Sequence, residues 1–101
     1  MQATVSKNGA SANRVLHIGV VHGVRSVNFV AAAETRAGML EHLAAYVRAT
    51  AEVQLYAHDA AWLAALVEER DLEAAVGFYF DRVGERWDPE WLDECTLPVM
   101  P

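Results

Sequence analysis

The stretch Leu72–Leu92, LEAAVGFYFDRVGERWDPEWL, decides how this chain closes its core. It holds Phe78, Tyr79, Phe80, Trp87 and Trp91, five of the nine aromatic residues in the sequence. Leu72, Ala75, Val76, Tyr79, Phe80 and Val83 recur at helical spacing and predict an amphipathic helix. Asp71 occupies the N-cap position, and Gly84 suits the left-handed residue that ends many helices. Trp87-Asp88-Pro89-Glu90-Trp91-Leu92 then reads as a short further helix. Asp88 caps it, Pro89 sits in its first turn, Glu90 faces its positive end, and Trp87 closes on Leu92 as a staple. Phe78 falls about 120° from the centre of the apolar stripe. That direction sends it either under the C-terminal segment or into a partner surface.

Upstream, Asp59 caps a helix that runs to about Glu69, with Leu63, Leu66 and Val67 as its stripe. Extending that helix into Leu72–Val83 fails on phase, because Val76 would sit about 220° around the wheel from Leu63. A break near Arg70-Asp71 follows, and with it a helical hairpin. Glu52–Ala57, EVQLYA, alternates Val53, Leu55 and Ala57 against Gln54 and Tyr56, which predicts a short strand. Glu34–Ala51 before it is an amphipathic helix with Leu40, Leu43, Ala44, Val47 and Ala51 on one side. Its opposite side is small rather than charged: Gly38, Ala45 and Ala49, with His42 among them.

Arg14–His22, RVLHIGVVH, predicts a strand whose better core face is Leu16, Ile18, Val20 and His22. Gly23 offers a turn, and Val24–Ala31 returns as the second strand of a hairpin. Residues 1–13 are small and polar and read as a flexible N-terminal tail. The expected architecture is α+β: one domain over 14–95 and a C-terminal tail over 96–101. Its sheet has three strands, a hairpin plus a third strand after a crossover helix. One long helix packs the sheet, and a helical hairpin and a short C-terminal helix follow.

Charge is divided along the chain. Residues 1–52 carry five basic and three acidic groups and residues 53–101 three basic and eleven acidic, or +2 and −8, which sum to the net −6. An acidic half without a basic stripe points away from nucleic acid and, if it steers anything, toward a basic protein partner. No run approaches the roughly 20 apolar residues of a membrane span, and the N-terminus lacks the apolar stretch of a secretory leader. A lone cysteine, Cys95, excludes an intrachain disulfide framework, and cytoplasmic residence is the expectation. Frequent Ala, and Arg over Lys, suit a bacterial genome.

No catalytic, cofactor or metal site is expected. His17 and His22 face opposite sides of one strand, His42 and His58 lie elsewhere, and no histidine pair has helical ligand spacing. Cys95 sits beside Asp93 and Glu94, which raise rather than lower a thiol pKa. The pairs Glu68/Glu69, Asp81/Glu85 and Asp93/Glu94 read as solvated helix faces. The expected role is a binding or accessory module, inhibitor-like or regulatory, with a protein partner and a homodimer that relieves the small core. The candidate contact residues are Gly38, His42, Ala45, Ala49, Phe78, Trp87 and Trp91. The alternative is a small enzyme with His17, His22 or His58 as proton carrier, in a cleft between sheet and helical hairpin.

Overall fold

A computed structural model describes residues 14–99; the tail read over residues 1–13 lies outside them. The order is β1 (Val15–His22), β2 (Val27–Ala33), α1 (Arg36–Gln54), α2 (Ala57–Glu68), α3 (Leu72–Val83) and β3 (Trp91–Pro98). The fold is α+β, with a three-stranded antiparallel sheet and three helices among the described residues.

Two elements differ from expectation. EVQLYA is not the third strand. Its first three residues end α1, Leu55 is the C-cap and Ala57 opens α2, and Val47, Ala51 and Leu55, four residues apart, are all buried. Val53, which a strand would have turned inward, is 83% exposed. The second correction is the expected C-terminal helix: residues 87–90 form an irregular connection, and Trp91 and Leu92 begin β3. That strand pairs with β1 from His22–Trp91 to Val15–Pro98, giving the order β2-β1-β3 and running through the first residues of the stretch read as a tail. After the hairpin forms, β1 retains one edge of unpaired N–H and C=O groups, and that edge needs a ladder. The Asp-Pro-Glu cap signature yields to it.

The helical hairpin forms where the phase argument puts it. Arg70 adopts a left-handed conformation at φ 63°. The Asp71 N–H donates to Leu66 O and the Arg70 N–H to Val67 O, both at 3.0 Å, which closes a Schellman turn. Gly84 is right-handed (φ −62°), so the left-handed terminus expected there is absent. Thr35 caps α1 by accepting from the Gly38 N–H at 3.0 Å.

The core lies on the face of β1 opposite to the expected one. Val21 is fully buried there, beside Phe29 of β2 and Leu92 of β3. The reason is close approach. A Cβ on Gly19 would lie 3.0 Å from Leu43 Cδ1 and 3.4 Å from Met39 Sδ, so glycine lets α1 settle directly onto the central strand. Gly38 serves the same packing from the helix side, since a Cβ there would meet the Ala33 Cβ at 3.0 Å.

Among the described residues one carboxylate sits inside. Glu90, immediately before β3, is 4% exposed. Its Oε2 accepts from Tyr46 Oη and Asn28 Nδ2, each at 2.5 Å, and its Oε1 accepts from the buried Tyr79 hydroxyl. The carboxylate thereby joins α1, α3 and β2 to the entry of β3. Burial, and then the hydrogen bond to Glu90, hold both phenols in the protonated form well above the usual tyrosine range.

Glu90→Ala is expected to lower stability by about 2–4 kcal/mol, because two phenol hydroxyls lose their acceptor in or near the core; denaturant unfolding measures it. The raised tyrosine pKa values set an alkaline limit. A proton held more tightly in the folded state makes this stability complete below pH about 10, the unfolded value, and progressively lost above it. Unfolding midpoints followed from pH 9 to 12 should fall, and Tyr79→Phe should flatten that fall.

Candidate functional site

All three strands place a second set of side chains on the sheet face away from the core. Cross-strand neighbours share a face, so the register defines it. On β1 the set is Leu16, Ile18, Val20 and His22. They stand opposite Leu97, Cys95, Asp93 and Trp91 of β3. On the other side, Ile18, Val20 and His22 meet Ala32, Val30 and Val27 of β2. Asn28 is the extra residue of a bulge between these pairings, and its amide turns toward Glu90.

The face is apolar and open. Leu16, Ile18 and Val20 are half-buried, sheltered by their neighbours on the outer strands, and none packs against the core cluster. Around them Val27, Val30, Trp91 and Leu97 are each about half exposed (53, 54, 49 and 52%). The helices cover the opposite side, where Met39 and Leu43 of α1 approach Gly19. An antiparallel sheet normally turns polar residues toward water on its uncovered side. Here the uncovered side of the central strand is the more apolar one.

Polar character concentrates at one end. The His22 ring stacks on Trp91 with centroids 5.5 Å apart and planes 15° apart. His22 Nε2 lies 2.9 Å from Asp93 Oδ2. This pairing holds Trp91 against the strand and neutralises the one carboxylate of the face whenever the imidazole is protonated. Beyond that end, Gly23, Arg25, Ser26, Asn28, Trp87 and Asp88 line a hollow of about 390 Å³.

The candidate residues from the sequence are distributed over several surfaces. Trp91 belongs to the open face. Trp87 is 85% exposed beside the hollow, so it forms no staple with Leu92. His42, Ala45 and Ala49 are exposed on α1, the two alanines lining a groove with Arg48, Val67 and Arg70. Gly38 faces β2 rather than that groove. Phe78 is half-buried against the core, with the Arg82 guanidinium 4.7 Å above its ring.

The histidines do not converge. His17 lies on the core side of β1 and His22 on the open side, while His58 stacks on Tyr56 at the start of α2. Among the described residues no three His, Cys, Asp or Glu side chains gather as a metal site. Two features escaped the sequence reading. Glu90 finds partners up to 62 residues away, which no local pattern signals. The open face had a trace in RVLHIGVVH, which is apolar on both sides of the strand, as suits one covered on both faces.

Because Trp91 is about half exposed, stacked on His22 and bordering a groove with Val76 and Phe80 of α3, Trp91→Ala is expected to cost the isolated chain about 1–2 kcal/mol. A loss above about 3 kcal/mol in chemical denaturation, the range for a large core truncation, would place it in the core instead.

The chain matches no family model, no curated protein and no solved structure, so the geometry of this face alone carries the functional reading.

Proposed function

We propose that the protein is a small binding module that docks another protein surface through the open face of its sheet. The observation that carries this reading is a continuous apolar surface across all three strands, relieved only by the His22–Asp93 pair. A contiguous patch of this kind on a soluble domain marks an interaction site rather than ordinary surface. The separation of His17, His22 and His58 favours binding over histidine acid–base chemistry, which requires groups within hydrogen-bond reach of one substrate.

Charge supports a protein partner over nucleic acid. Of the arginines in the first half, Arg14 pairs with Glu34, and Arg36 with Glu94 and Glu73. Most of the acidic excess lies in α2, α3 and the loop after them, and Asp93 is the acidic residue that β3 places on the open face. No described helix is long and apolar enough to cross a membrane.

The test is Val30→Glu combined with Leu97→Glu, two exposed positions on opposite outer strands. The double variant should keep the parent's far-UV circular dichroism, because neither side chain contributes to the core. In extract of the native cell, the tagged parent should elute in a complex and the variant at its own mass. A complex that survives both charges, or a parent that elutes as free chain, overturns the docking face.

A further inference from the structure

We infer that the occupant of the open sheet face is a second copy of this chain, bound face to face about a two-fold axis. The inference rests on the docking reading and names its partner.

Area is the first support. A stable interface takes roughly 800 Å² from each partner. The face supplies eleven side chains over three strands, its large outer residues about half exposed, which amounts to that order of area. A two-fold contact uses the same patch twice, so a single such face suffices for closure. Sheets pack face to face about 10 Å apart with their side chains interdigitating. The half-buried ridge of Leu16, Ile18 and Val20, flanked by Val30 on one side and Leu97 on the other, has the relief for that fit.

Charge is the second support. Two chains of net charge −6 repel unless their carboxylates stay apart. The open face carries one carboxylate, Asp93, paired with His22. Joining two copies there leaves the acidic helices on the outer surfaces, separated by both sheets. The alternative groove on α1 brings Glu41 and Glu52 into the contact, together with Arg48 and Arg70.

The paired sheets would also enclose Cys95, which stands opposite Ile18 in mid-strand and is exposed in the single chain. Its thiol therefore reports on the contact. The experiment is light scattering of the purified full chain at micromolar concentration, with Cys95 titrated by a soluble aromatic disulfide reagent, for the parent, Val30→Glu and Leu97→Glu. The expected parent has twice the 11.1 kDa chain mass and a thiol at least tenfold slower than in the variants. The variants should run at single mass with an accessible thiol and unchanged circular dichroism. A dimer that persists in both variants moves the contact elsewhere and overturns the proposal. A single-mass parent with a fast thiol also overturns it, but leaves the docking face for a different protein. A single-mass parent with a slow thiol means the chain covers its own face, and both readings fall.

Discussion

A carboxylate inside a small domain is costly unless donors satisfy it, and the arrangement around Glu90 is what makes this fold a single unit. Tyr46 comes from α1, Tyr79 from α3 and Asn28 from the bulge of β2. Each donates to Glu90, the residue immediately before β3. The strand therefore enters the sheet at a defined height beside β1, with Leu92 turned to the core and Trp91 turned out. Three neutral donors fix that entry without a buried cation. They also explain why the Tyr46 and Tyr79 rings, in edge contact at 6.4 Å, both point their hydroxyls toward one place.

That entry has a consequence on the far side of the sheet. With Leu92 inside, strand alternation sends Trp91, Asp93, Cys95 and Leu97 outward as a set. The bulge at Asn28 does the same for β2, carrying Val27 and Val30 to the open side while Phe29 stays beneath Tyr46. The donor that satisfies Glu90 and the residue that resets the register of β2 are the same asparagine. Core polarity and surface apolarity are thus two results of one packing arrangement. A domain this small has too few residues to cover both sides of its sheet. Its helices cover the side where glycine allows close approach, and the bulkier side is left open.

The chain's local patterns determined much of this. Helical spacing marked α1 and the Leu72–Val83 helix, and the phase mismatch between Leu63 and Val76 required the turn at Arg70. Val, Leu and Ile density marked the first two strands. These features follow from neighbours within a few residues, whose contacts the sequence itself displays. Three further features were decided only by tertiary structure. Asp88-Pro89-Glu90 reads as a helix start, yet β1 has an edge to fill and a ladder outweighs one short capped turn. EVQLYA alternates like a strand, yet Leu55 extends the buried stripe of Val47 and Ala51. The larger apolar face of β1 reads as core, yet Gly19 brings α1 to the other side. In each case the deciding partner is distant in sequence, and periodicity holds no record of which of two compatible surfaces that partner will meet.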